Sequence, residues 1–217
     1  MATKAKGARE TPMSARQRRQ QVREEAARER RNQNLFLLAA AGVLVLIVAY
    51  FLYLSFRGPV PVAGEEVFES QGNSHLANFG DRSNLEYNST PPSSGPHYGN
   101  LAAWQVYEDP IRYEQLVHNL EDGGVVVYYQ CEEACPELFE QLSASVQPYI
   151  DSGRHVILAP NDPTWTPGGG QPWHKDMGAP IALTAWGRVL KLDEYDADRI
   201  RSFIQRYEGI DHHQRGI

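Results

Sequence analysis

The residues best equipped for chemistry are one pair of cysteines and a scatter of histidines. Cys131 and Cys135 are the only cysteines in the 217-residue chain. They lie in "YYQCEEACPELFEQL", where an apolar run gives way to a helix-like pattern. Three chemistries suit such a pair. A structural disulfide would staple the start of the helix. A redox pair would use Cys131 as nucleophile and Cys135 as resolving thiol. A metal site would use both as soft thiolate ligands. Glu132 and Glu133 flank the pair, and their negative charge tends to raise a thiol pKa, which works against a reactive thiolate. Spacing alone leaves all three open.

Seven histidines accompany them: His75, His97, His118, His155, His174, His212 and His213. His155 opens the apolar stretch "HVILAP" and reads as structural. His97 stands between Pro96 and Tyr98, in a restrained loop that could hold an imidazole for a ligand. His118 comes just before a Gly123-Gly124 turn, with Glu121 and Asp122 within one helical turn. A lone histidine is more often packed than ligating, but His97, His118, His212 and His213 together make a candidate constellation. First-row metals favour imidazole, and an outer carboxylate such as Glu121 could orient the rings. The candidate metal ligands are therefore His97, His118, Cys131, Cys135, His212 and His213, with copper or zinc as the ion.

Other enzyme signals are thin. "PSSGPH" is not a nucleophile elbow, since Gly-x-Ser-x-Gly is absent. "TPGGGQPW" lacks the Lys and the strand-helix setting of a phosphate loop and reads as a hairpin or lid. Glu65-Glu66 and Asp193-Glu194 read as solvated surface. Trp165, Trp173 and Trp186 could form an aromatic contact surface, with Trp186 placed in the core by the apolar strand before it. The expectation is a non-catalytic role, metal handling or accessory assembly of a membrane complex. A thiol–disulfide oxidoreductase is the enzymatic alternative, and a purely structural interaction subunit is the third.

These residues need elements to position them. "VVVYY" after Gly123-Gly124 is a β-branched and aromatic strand. Cys135 to Ile150 reads as a helix, with Leu138, Leu142, Val146 and Ile150 at four-residue spacing. "HVILAP" is a second buried strand, and "PIALTAW" and "RVLKL" form two more, joined at Trp186-Gly187. Asp196-Ala197-Asp198 starts a helix running to about Tyr207, with acidic residues at its positive end. Tyr113–Leu120 is a further short helix. The polar loop "NFGDRSNLEYNSTPPSSGPHYGN" lacks regular elements, and its aromatic and histidine content argues for function. A strand, helix and parallel strand followed by an antiparallel pair and a closing helix make an α/β domain. Its order resembles the thioredoxin fold. Pro180, before a strand, would then be a cis-proline facing the cysteines.

Charge and hydropathy place this domain. Residues 1–34 carry ten Lys/Arg against four Glu. Leu35–Leu54 is then twenty residues without a charge, about 30 Å of helix, enough to cross a bilayer. Beyond Arg57 there are ten basic and 23 acidic residues, a formal charge of −13. A cleaved signal peptide would have a shorter apolar region and a small-residue site after it. "SFRGPVPVAGEE" supplies no Ala-x-Ala pattern, so an uncleaved anchor is expected. The basic flank places the N-terminus in the cytoplasm and the C-terminal domain outside, where disulfides persist. The expected plan is a basic tail at 1–34, a transmembrane helix at 35–56, a linker at 57–64 and an extracytoplasmic domain at 65–217. The tail, helical from about Ser14, has the bilayer's anionic headgroups as partner and not nucleic acid.

Two resemblances add to this. "CEEACP" locally resembles the CxxxCP site of the Sco copper chaperones, which deliver copper to cytochrome oxidase outside the membrane. That likeness implies two thiolates and a distant histidine as copper ligands. More broadly, "TPPSSGPHYG" (90–99), "HNLEDGGVVVYY" (118–129), "PIALTAWGR" (180–188) and the closing His212-His213 resemble an uncharacterised family of bacterial membrane-anchored proteins with PPxSGPHY, HNLEHGG and ALTAWGR motifs. That likeness implies one anchored extracytoplasmic domain and no settled activity. Where the family carries a second histidine four residues after the first, this chain has Asp122. A two-imidazole site would here become a harder His118–Asp122 pair, or no site.

Overall fold

The structure is a computed structural model that describes residues 15–56 and 61–213. It divides into two compact units, residues 1–58 and 59–217.

The first unit is a single helix, α1 (Ala15–Phe56). It contains the charge-free stretch and is long and apolar enough to cross a membrane. The apolar side chains described along it, from Leu35 to Tyr53, are exposed in the isolated chain. Residues 1–14, the start of the basic tail, lie outside the described residues.

The second unit is built on one mixed sheet. In chain order its elements are β1 (Glu65–Val67), α2 (Tyr113–Glu121), β2 (Val125–Tyr129), α3 (Pro136–Asp151), β3 (Val156–Pro160), β4 (Ile181–Ala185), β5 (Arg188–Leu192) and α4 (Ala197–Tyr207). The strands lie in the order β1-β5-β4-β2-β3. β2 and β3 are parallel, Val126 opposite Ile157, and α3 connects them. All other pairings are antiparallel.

Alternation along β2 sorts the core into two layers. Val125 and Val127 pack with Leu142 and Val146 of α3 and with Phe203 and Ile204 of α4. Val126 and Tyr128 point the other way, onto Leu116 and Leu120 of α2. Strands covered on both faces must be apolar throughout, which is why "VVVYY" and "VILAP" read as continuous runs. Asp196 accepts hydrogen bonds from the backbone N–H groups of Asp198 and Arg199 and so caps α4.

Two expectations change. Glu65 is not a solvated residue: it sits in β1 opposite Leu190, and its carboxylate accepts from Tyr207 Oη at 2.5 Å and from the Val62 N–H at 2.8 Å. A three-residue edge strand with two charges has no hydrophobic alternation to betray it. Pro180 is not the cis-proline either. Among the described residues the cis peptide bond is Thr90–Pro91, in the long loop on the α2 side of the sheet.

Candidate functional site

That loop and the C-terminal end of α2 make the site. α2 is closed on nearly every side, because its apolar stripe faces the sheet and the loop covers its polar stripe. His118 and Glu121, three residues apart, share that second stripe. The loop is tied to it at several points. The Tyr98 N–H donates to Glu114 O at 2.9 Å, and Asn119 holds Ala102 with two hydrogen bonds of 2.9 Å. A second stretch, residues 72–76, runs alongside 95–97. There the Gly95 N–H donates to Gly72 O, His97 N–H to Ser74 O and Leu76 N–H to His97 O. This ribbon carries His75 to a position beside His97.

The result is a group formed by His75, His97, His118 and Glu121, whose potential ligand atoms all lie within 4.8 Å of one another. His97 and Glu121 are closed to solvent, at 0% and 1% exposure, and His118 is nearly so. The Nδ1 of His97 lies 2.8 Å from Gly95 O, and the Nδ1 of His118 lies 2.7 Å from Tyr98 O. A carbonyl can only accept, so each Nδ1 carries the proton. In the neutral ring each Nε2 is then a lone pair turned inward. This is how proteins orient imidazoles that ligate metals.

The His97–Glu121 contact sharpens the point. His97 Nε2 and Glu121 Oε2 are 3.0 Å apart, yet neither atom makes a hydrogen bond. With the His97 proton on Nδ1, two lone pairs face each other in a closed space. Only a proton or a cation between them makes the contact attractive. Burial lowers the pKa of His97, a desolvation effect that the nearby Glu121 charge only partly offsets, so an imidazolium is disfavoured there. The other carboxylate oxygen is already engaged, since Asn73 Nδ2 donates to Oε1 at 2.6 Å. Around a tetrahedral ion with ligands at 2.0–2.1 Å, neighbouring donor atoms sit about 3.3 Å apart. The observed separation is close to that.

At the outer edge lies a second group, His118, Asp122 and His213. His213 Nε2 is 3.3 Å from Asp122 Oδ1 and 3.7 Å from Glu121 Oε2, while its Nδ1 lies 2.8 Å from Asp211 Oδ1. The bond to Asp211 raises the pKa of this exposed ring. The C-terminal segment reaches here because the Gly209 N–H donates to Gly123 O and the His212 N–H to Glu121 O. Gly123 has φ +78°, and a Cβ on it would lie 2.9 Å from the Ile210 backbone. The Gly-Gly turn is therefore what lets this segment lie so close.

The expected ligands thus part company. His97, His118 and His213 are brought together. His212 is not among them: its ring stacks on Trp186, centroids 5.9 Å apart. Cys131 and Cys135 are not among them either. They form a disulfide with Cα atoms 6.3 Å apart, at the β2-to-α3 junction. Asp122 and Cys131 flank opposite ends of β2, a strand of about 15 Å. No single ion spans both places, so a shared cysteine–histidine site is ruled out by the topology. His155 is structural, stacked on Trp104 at 4.5 Å. His75 was not foreseen, because "QGNSHLANFG" has no spacing that singles it out. Glu121 was foreseen as an outer carboxylate and stands instead among the inner donors.

The segments that sequence reading singled out also converge here. Trp186, between β4 and β5, meets His97 edge-on at 6.3 Å, and the Gly187 N–H donates to Ser93 O. So residues of 90–99, 118–124 and 212–213, with Trp186 and Gly187, lie about one cluster.

No curated protein and no solved structure matches the chain. The model of a family described as a protein of unknown function, DUF3105, matches residues 79–216, and with more than half of its length covered the chain belongs to the DUF3105 family.

Proposed function

We propose that this protein is a membrane-anchored metal-binding protein. Its N-terminus lies in the cytoplasm, and its extracytoplasmic domain holds one divalent first-row ion through His97, His118, Glu121 and His75. The observation that carries the reading is the buried pair of atoms without a hydrogen bond, His97 Nε2 and Glu121 Oε2, 3.0 Å apart. The charge asymmetry about Leu35–Leu54 supports the orientation, and the Cys131–Cys135 disulfide is of the kind that persists outside the cytoplasm.

The donor set bears on the ion. Three imidazoles and a carboxylate suit Zn²⁺ or Cu²⁺, whereas Cu⁺ favours soft sulfur ligands. Because the cysteines are bonded to each other and lie away from the cluster, a Sco-type cuprous site loses its ligands. Zinc is the leading candidate. The sheet order β3-β2-β4-β5, with α3 in the crossover, is read as a thioredoxin-like scaffold. It is used here for holding metal in an accessory or assembly role and not for thiol exchange.

The test is metal analysis of the full chain purified in detergent after loading with Zn²⁺ or Cu²⁺ and desalting. One equivalent retained by the wild type and lost in His97→Ala is the expected result. A wild type that retains neither ion overturns the reading.

A further inference from the structure

The two histidine groups share a side chain, and that sharing has a functional meaning. His118 has only Nε2 to offer, because its Nδ1 is committed to Tyr98 O. One Nε2 cannot serve both groups as separate resident sites at once. Glu121 Oε2 also faces both ways, 3.0 Å from His97 Nε2 and 3.7 Å from His213 Nε2. Among the inner partners His97 and Glu121 are closed to solvent and His118 nearly so, with His75 exposed at the rim, while the side chains of His213 and Asp122 are 46% and 24% exposed. Three carboxylates, Glu121, Asp122 and Asp211, surround His213.

We infer that His213 and Asp122 form a capture site that takes a divalent cation from solvent and passes it, by ligand exchange on His118 and Glu121, to His97 and His75. The inference rests on the metal-binding reading above. An ion held by His213, Asp122 and His118 keeps its bond to His118 Nε2 as it moves inward. Glu121 Oε2 enters its coordination shell before His213 leaves. The ion is never stripped of all its ligands at once, which keeps the barrier low compared with complete dehydration beside buried groups. The same steps in reverse release it. A site built in this way exchanges its metal with the surroundings, as a carrier must, and is not a permanent structural clamp.

The experiment uses the full chain in detergent with Co²⁺ as the probe. Stopped-flow absorption in the visible d–d bands gives the loading rate, a competing chelator gives the release rate, and a chelator titration gives Kd. For His213→Ala, loading and release are expected to slow together, each roughly tenfold, within the range over which on-rates vary among mutants of one site. Their ratio, and so the affinity, stays near the wild-type value. Asp122→Asn shows the same pattern and guards against a local effect of removing the ring. A weaker Kd caused by faster release would make His213 a resident ligand and overturn the capture role. Unchanged rates in both variants would overturn it too. A wild type with no Co²⁺ spectrum fails one step earlier, at metal binding itself.

Discussion

His97 Nε2 and Glu121 Oε2 face each other at 3.0 Å, both closed to solvent and neither in a hydrogen bond. In the proposed metal site this contact is what would distinguish ligands from an ordinary buried ion pair. Glu121→Gln tests it by the sign of its effect. The glutamine Oε1 still accepts from Asn73 Nδ2, and its NH₂ donates to the His97 lone pair. Without metal, the variant is therefore expected to be at least as stable as the wild type, by about 1 kcal/mol for the hydrogen bond gained. With Zn²⁺ it is expected to lose affinity by 100-fold or more, beyond the roughly 10–100-fold typical of an outer-shell change. Thermal melting with chelator and with Zn²⁺ measures both. A metal-free variant that melts well below the wild type would show that the carboxylate has a structural partner.

The cysteines are expected to matter for stability and not for metal. Their disulfide closes a loop with a sequence separation of four, for which chain entropy gives about 2 kcal/mol. The double variant Cys131→Ser, Cys135→Ser should lose about that much in denaturant unfolding. Its Zn²⁺ affinity should stay within about twofold of the wild type, since the sites are more than about 10 Å apart and share no partner. Loss of metal on this substitution would return the thiolates to the site.

How much of this was legible beforehand follows the physics of each signal. β2 to β5, α3 and α4 could be read because burial on both faces or one stripe leaves apolar periodicity in the sequence. α2 was legible through Leu116 and Leu120. β1 was not, since Glu65 is buried by partners far away in sequence, Tyr207 and Arg188. The site divides in the same way. His97, His118 and His213 stood in distinctive local contexts, next to Pro96, before Gly123 and within a closing His-His. His75 comes to the cluster only through the ribbon of hydrogen bonds between 72–76 and 95–97. No local pattern encodes that pairing. Of the three chemistries open to the cysteines the structure has the disulfide, and its strand-to-helix junction marks a place in the fold without saying which end of the sheet gathers the histidines.

His174 gives a pH prediction independent of metal. Its Nδ1 accepts from the Asp162 N–H at 3.0 Å, its Nε2–H donates to Ile111 O at 2.8 Å, and the ring stacks on Tyr113 at 4.4 Å. Burial pushes its pKa down to about 4. The unfolded chain therefore binds a proton, below about pH 6.5, that the folded chain refuses until about pH 4. The stability contribution is fully present above pH 6.5 and declines toward pH 4, by up to about 3 kcal/mol. The buried His97 acts in the same direction in metal-free protein. Unfolding free energies of the metal-free chain at pH 7, 6, 5 and 4.5 should fall steadily. His174→Gln should start lower at pH 7, with a shallower slope below it. Parallel slopes would mean that His174 titrates normally.

Gly123 and Gly209 are both held at positive φ, at +78° and +88°, but they differ in what surrounds them. A Cβ on Gly209 meets nothing within 4 Å, whereas one on Gly123 meets the Ile210 backbone at 2.9 Å. Alanine at Gly209 should therefore cost only its backbone strain, about 1 kcal/mol. Alanine at Gly123 adds a clash that no side-chain rotation relieves, for a total of about 2–4 kcal/mol. The cheapest relief is to lift the C-terminal segment, breaking the Gly209 N–H to Gly123 O and His212 N–H to Glu121 O hydrogen bonds. That movement withdraws His213 from Asp122. Gly123→Ala should then slow Co²⁺ loading as His213→Ala does, while Gly209→Ala loads at the wild-type rate. Equal loading by the two glycine variants would show that the segment keeps its place without the glycine, and that the close approach at Gly123 serves packing alone.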